Sequence, residues 1–243
     1  MSDDAVGMDM LMGEEIAGAG LTDWRKLAQG LHARYRTGGF AAGARFVAAV
    51  GEAGDALGHH LRVTVSPDAV DLKLVSDDAI YTDDDGAAHV VQWVTRVDVD
   101  LARRISEIAA EHGLTPDPSS VGHIELGLDA SVSAAVAPVW VALLTGNAED
   151  QGRGTPEGDE IRDGLGRVPN LWFGDPSDGE SGGQRFHLEV YVAPEVVEGR
   201  VAAAVAAGGT VVDDSSSPML TVIADQDGNT GVLCTDVSAA PGA

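Results

Sequence analysis

The chain has 243 residues, 44% of them hydrophobic, which is enough material for one large or two ordinary domains. Its 39 acidic and 15 basic residues give a formal charge of −24, which repels phosphate backbones and anionic lipid headgroups, so nucleic acid and membrane surfaces are excluded as expected partners. The single cysteine, Cys234, rules out an intrachain disulfide. Residues 1–15 are acidic where a secretory signal is basic, and the longest apolar run, 134–144, is short for a membrane span and holds Pro138, so a cytoplasmic protein is expected.

Residues 8–111 read as helix, strands, helix. Over 40–57, Phe40, Ala44, Phe46, Val47, Val50, Ala53 and Gly54 share a helical face whose small members permit close packing on a sheet. His59-His60 follows, four residues after Asp55. Two adjacent imidazoles suit proton transfer, because a pKa of about 6.5 keeps both protonation states accessible near neutrality. Residues 61–65 and 70–75 then alternate apolar and polar around the turn Ser66-Pro67-Asp68, which predicts a hairpin of half-buried strands. An acidic loop is expected over 79–89 and a further strand over 90–94. The stretch 98–112 predicts a helix with Leu101, Ile105, Ile108 and Ala109 inward and Asp98 near its N-terminus. The expected fold class is α+β, helices on one antiparallel sheet.

The proline-rich stretch 115–120 breaks both neighbouring patterns and is the expected linker between a domain at 1–114 and another at 121–243. Beyond it, Gly122-His123-Ile124-Glu125-Leu126-Gly127-Leu128-Asp129 is similar to Phe186-His187-Leu188-Glu189-Val190-Tyr191-Val192. An alanine-rich helical stretch follows each, at 131–144 and 194–207, and then strand-like runs, so the pattern is an internal repeat. Residues 147–164 and 174–184 are polar and are expected as mobile loops. Trp140 and Trp172 fit core positions, Cys234 fits a packed strand, and Arg167 and Arg185 fit a surface role or contact with an anionic ligand. Gly164-Leu165-Gly166-Arg167 is a turn, since it lacks the lysine and hydroxyl of a phosphate loop.

In the first half, Glu14-Glu15-Ile16, Gly20-Leu21, Asp23-Trp24-Arg25, Arg34-Tyr35-Arg36, Phe40, Phe46-Val47 and Asp55 ahead of His59-His60 together resemble the pterin-4a-carbinolamine dehydratases, also called 4a-hydroxytetrahydrobiopterin dehydratases. The resemblance implies that His59 and His60 supply acid and base, with Asp55 and Asp98 as nearby acids. The sequence departs from the family at Leu61, where a proline is usual, and at Asp77, which falls where the family has a third histidine. Asp77 can accept a proton or hold a planar N–H edge, and His89 is an alternative imidazole.

The repeat, with Ala137-Pro138-Val139-Trp140 and Ala206-Ala207-Gly208-Gly209-Thr210, resembles the glyoxalase/bleomycin-resistance (vicinal-oxygen-chelate) superfamily over 120–236. That resemblance implies two paired βαβββ modules forming a cup, with His123, Glu125, His187, Glu189 and Trp172 as ligand-binding candidates. A divalent ion at His123 and His187 is one reading. The closing strands, however, carry Val232 and the carboxylate-free 168–173 where metal-dependent members carry glutamates, so a metal-free cup without cofactor is the expected form. Two functions stay open: a lyase dehydrating a pterin 4a-carbinolamine, or a catalytically divergent protein that binds or transforms another small molecule through its cup. Both resemblances imply a homodimer.

Overall fold

The computed structural model describes residues 8–155, 160–174, 185–224, 226, 228 and 230–236. The chain forms two compact units: Met1–Gly122 with Val192–Glu195 and Asp236–Ala243, and His123–Tyr191 with Val196–Thr235. None of the described helices is long and apolar enough to cross a membrane.

The first unit runs α1 (Gly13–Ala17), β1 (Trp24–Leu27), β2 (Gly30–Arg36), α2 (Phe40–Leu57), β3 (Arg62–Val65), β4 (Ala69–Leu74), β5 (Ser76–Thr82), β6 (Ala88–Trp93), α3 (Arg96–Glu111) and β7 (Thr115–Pro116). Strands β1, β2, β4 and β3 lie side by side in that order, all neighbours antiparallel, and β7 adds to β2. Helix α2 buries Gly43, Phe46, Val50 and Gly54, one residue per turn, so a single stripe faces the sheet. A Cβ on Gly43 would stand 3.1 Å from Val70 of β4, so the glycine lets helix and sheet approach. Helix α3 buries Leu101, Ala102, Ile105, Ile108 and Ala109. Phe46 and Tyr35 are fully buried and meet edge to face at 5.4 Å. Burial of such a ring stabilises by roughly 1.5–3 kcal/mol.

Helix α2, the β3–β4 hairpin and α3 lie where periodicity places them. Strands β1 and β2 have no such signature, because β1 and most of β2 are buried on both faces and their Arg25, Lys26 and His32 interrupt any alternation. The segment 79–89, expected as a loop, is a hairpin: β5 pairs with β6 with Tyr81 opposite His89, making a separate two-stranded sheet. The segment 115–120, expected as a linker, is knit to the first sheet through Arg36 opposite Thr115 and an Arg36–Asp117 ion pair at 2.6 Å.

The second unit comprises β8 (Gly122–Asp129), α4 (Ser133–Leu144), β9 (Leu171–Gly174), β10 (Phe186–Val192), α5 (Val197–Ala206), β11 (Thr210–Asp213), β12 (Leu220–Ala224) and β13 (Thr230–Cys234). Its sheet has the order β11-β12-β13-β10-β8-β9. The opening strand of each repeat pairs in parallel with its own closing strand, β8 with β9 and β10 with β13. Between β8 and β9, isolated antiparallel bridges join Gln151 to Ile161 and Ile161 to Leu171. These occupy the places that β11 and β12 hold in the second repeat, so both halves are βαβββ modules and the first has its two middle strands reduced to single bridges. A small core of Leu128, Val141, Ile161 and Leu171 backs the first module.

Described residues of the expected mobile loop 147–164 are ordered by two buried carboxylates. Asp150 accepts from Gly164 N, and Asp163 accepts from Leu165 N, Arg167 N and the Arg167 guanidinium. The Arg167 bonds hold the Asp163 carboxyl far below the usual range, against the smaller effect of burial. Arg167 is thereby committed to Asp163 and, through Nη2, to the Thr145 carbonyl at the end of α4. The rest of that expectation, 156–159 and 175–184, lies outside the described residues.

Candidate functional site

The two histidines sit where α2 stops. Gly58 takes the left-handed conformation at φ 62°, its N–H reaches Asp55 O, and His59 N reaches Gly54 O, the paired hydrogen bonds of a Schellman stop. This stop turns the chain so sharply that a Cβ on Gly54 would lie 2.7 Å from His59 O. Glycine at 54 and 58 therefore fixes where both imidazoles emerge.

His59 turns inward, to Asp98 of α3. Its Nε2 lies 2.8 Å from Asp98 Oδ1, and the Asp98 side chain has no solvent exposure. The other oxygen, Oδ2, accepts from Ser76 Oγ at 2.8 Å, Thr95 N at 2.8 Å and Thr95 Oγ1 at 3.1 Å. Asp98 thus does two tasks: it caps α3 in a capping box with Thr95 and it presents one oxygen to His59. The hydrogen bond to Asp98 raises the His59 pKa above its ordinary value; burial opposes this, and the charges of Asp98, Asp78 and Asp77 add to it.

Asp77 and Asp78 come close for a backbone reason. The β5–β6 register runs Ser76 opposite Trp93 and Ala79 opposite Val91, so Asp77 and Asp78 together face Gln92 in a β-bulge. The bulge leaves both carboxylates exposed between the buried Ser76 and Ala79. Buried Gln92 donates its amide to Asp77 Oδ1.

His60 points outward, with 68% of its side chain exposed, and its Nε2 is 3.9 Å from the equally open Asp55. Of the five residues the sequence proposes here, His59, Asp98 and Asp77 form one neighbourhood, His60 borders it, and Asp55 is a loosely attached surface acid. His89 does not replace the third imidazole: it pairs with Asp83 at 2.8 Å and stacks on Tyr81 within the hairpin. Sequence reasoning missed Ser76, Asp78, Gln92 and Thr95. Thr95-x-x-Asp98 ahead of an apolar run is a legible capping signature, whereas the other three depend on the bulge.

In the second unit, alternation along β8 and β10 sets His123, Glu125 and Gly127 beside His187, Glu189 and Tyr191 on one side of the sheet. Glu125 is buried; His123 Nε2 lies 3.4 Å from its Oε1, and Asn170 donates to the same oxygen at 3.0 Å. Burial pushes the Glu125 carboxyl up, but His123, Asn170 and the Arg162 charge outweigh it and hold the group below its ordinary value. Tyr191 donates to Glu189 at 2.8 Å, and burial with the Glu189 and Glu125 charges raises its phenol. Burial and the same two carboxylates push the Cys234 thiol up to about 12, so it is packed and protonated at neutral pH. His187 stands edge-on to Trp172 at 5.1 Å over Gly127, where a Cβ would come within 2.4 Å of the imidazole.

Among the described residues, no three His, Cys, Asp or Glu side chains are placed to hold one metal ion. His123 turns to Glu125 and His187 packs edge-on against Trp172. A cavity of about 470 Å³ opens instead beside Trp172 and Phe173, lined also by Ser131, Ser133, Thr155 and Glu160. Of the five ligand-binding candidates only Trp172 lines it; the other four form the polar cluster on the sheet.

An imidazole on a buried, capping carboxylate in an α+β unit, and a strand-paired double module with a side cavity, define two classes of domain on one chain. The comparisons agree: residues 10–108 match the family model described as pterin 4 alpha carbinolamine dehydratase, and residues 125–234 match the one described as glyoxalase-like domain. The chain is a pterin dehydratase-like domain fused to a glyoxalase-like domain. Among solved structures it is similar to a transcriptional coactivator/pterin dehydratase from Brucella melitensis, at 21% identity over 42% of this chain and 99% of that one, with a TM-score of 0.34. It is also similar to a glyoxalase/bleomycin resistance protein/dioxygenase superfamily member from Vibrio splendidus, at 14% identity over 48% of this chain and 100% of that one, with a TM-score of 0.29. No curated protein matches the chain.

Proposed function

We propose that the first unit is a hydro-lyase that dehydrates a pterin 4a-carbinolamine. The observation that carries this reading is the His59–Asp98 pair at 2.8 Å on a fully buried carboxylate, beside the exposed His60. Loss of water from a carbinolamine breaks the carbon–oxygen bond, with the electron pair and an added proton leaving on the hydroxyl. The neighbouring nitrogen gives up its proton as the carbon–nitrogen double bond forms. His59, favoured in its protonated form by Asp98, is suited to protonating the leaving hydroxyl, and His60 is suited to accepting the nitrogen's proton. Asp77, held by Gln92, offers an acceptor for a planar N–H edge. The test is turnover of a chemically generated 4a-hydroxytetrahydropterin. His59→Ala and His60→Ala are each expected to lose about 10²–10⁴-fold in rate while remaining folded. Wild-type protein no faster than the uncatalysed dehydration would remove the reading.

A second reading, ligand binding by the glyoxalase-like unit, is favoured by the cavity of about 470 Å³ at Trp172, a volume in the usual range for small-molecule sites. Its aromatic walls, hydroxyls and Glu160 suit a planar ligand carrying a hydrogen-bond donor. Tryptophan fluorescence titration with aromatic amines, comparing Trp172→Leu, reads this out; titrations indistinguishable between the two proteins would remove it.

A further inference from the structure

We infer that Ser76 and Thr95 are positioning residues that clamp Asp98 and so hold His59 in its Nε2–H tautomer, leaving Nδ1 as the nitrogen free for substrate. The argument is an accounting of donors and acceptors. Asp98 is buried, and its Oδ2 receives three donors, Ser76 Oγ, Thr95 N and Thr95 Oγ1, from two different elements. The hydroxyls of Ser76 and Thr95 are also 2.9 Å apart, and with both of their protons given to Oδ2 they meet as close neighbours around that oxygen. With Oδ2 filled and the carboxylate plane fixed by β5 and the start of α3, Oδ1 remains as an acceptor aimed at His59 Nε2, 2.8 Å away. An ionised carboxylate only accepts, so Nε2 carries the proton in both charge states of the ring.

Nδ1 has no hydrogen-bond partner among the described residues, and the ring retains 17% side-chain exposure. Proton exchange with a ligand is thereby confined to Nδ1, and the ring that has given up that proton is already in the tautomer Asp98 holds. A hydrogen-bonded carboxylate that fixes tautomer and ring orientation is a recurrent device for working histidines. The charged groups facing His59 are Asp98 from α3 and Asp77 and Asp78 from β5. That Nδ1 works on a carbinolamine rests on the lyase reading above; the clamp itself is measurable without substrate.

The experiment is long-range ¹H–¹⁵N spectroscopy of the full chain with labelled histidine, using His59→Gln to assign the ring. The wild type is expected to show a pyrrole-like Nε2 with a slowly exchanging, downfield Nε2–H, and an Nδ1 that alone titrates. Ser76→Ala/Thr95→Val is expected to lose that proton signal and admit the Nδ1–H tautomer, with the amide spectrum elsewhere unchanged. Ser76→Thr and Thr95→Ser, which keep the hydroxyls and the helix cap, are expected to retain it. With the 4a-hydroxytetrahydropterin as probe, the double variant should lose about 10- to 100-fold in kcat at unchanged KM, as a misplaced reacting group does. An Nδ1–H tautomer in the wild type, or an unaltered Nε2–H in a folded double variant, overturns the inference. A locked ring without turnover removes the lyase reading alone, and turnover with a freely exchanging ring removes the clamp alone.

Discussion

The two units bury carboxylates in opposite ways. In the first, Asp98 is completely enclosed, is satisfied by four hydrogen-bond donors from three elements, and has a histidine with an open nitrogen at its end. In the second, Glu125 shares a polar cluster with His123 and Asn170, while the cavity lies elsewhere, at Trp172. One arrangement spends a buried charge on controlling a side chain that meets solvent. The other places its charge between a histidine of its own strand and Asn170, just ahead of β9.

The largest effect that sharpens this contrast is expected from Asp98→Ala. It leaves Ser76, Thr95 and His59 without their common acceptor and removes the cap of α3. A loss of roughly 3–5 kcal/mol is expected, visible as reduced amide-exchange protection confined to the first unit. Protection falling equally in both units would show that the enclosed charge is not local to the site.

Two glycine substitutions separate steric from conformational control. Gly127→Ala places a methyl group within 2.4 Å of His187 and is expected to cost about 1–3 kcal/mol and to displace the His187–Trp172 pair, read as a changed tryptophan emission. Gly58→Ala meets nothing within 4 Å but must hold φ 62°, for an expected cost of about 1–2 kcal/mol and a fall in any activity that needs the histidines. An unchanged emission in the first variant would mean that the second unit's polar face is not packed as described.

The pH response should differ in sign between the units. His59 has a raised pKa in the folded state, so its stabilisation is present below its unfolded value of 6.5 and is lost as pH rises through the folded value. Glu125 has a lowered one, so its stabilisation is present above 4.5 and is lost as pH falls through the folded value. His59→Gln should flatten the alkaline limb of stability against pH, and Glu125→Gln the acidic limb; an unaltered limb in either variant breaks the assignment. The smallest effect is at Cys234, which should react with an aromatic disulfide only as fast as the second unit opens.

Helix α2, the β3–β4 hairpin and α3 were legible because each has one buried face and therefore a period. Asp98 was legible as a helix-start acid, and His59-His60 as a pair. The clamp was not, since Ser76 reaches Asp98 only because β5 and β6 pair with a bulge, a matter of register across a segment that reads as an acidic loop. Asp55, one helical turn before His59, lies on the exposed side of α2, 3.9 Å from His60.

The repeat of the second half and the placing of two imidazoles after a helix are readable in the chain alone, because local periodicity and motif spacing carry them. Which histidine meets a buried carboxylate, how His123 faces Glu125 and His187 faces Trp172, and where a cavity opens emerge only once the chain is folded. Those outcomes depend on which donors, acceptors and rings meet across strands and helices distant in the chain, and no local pattern encodes that.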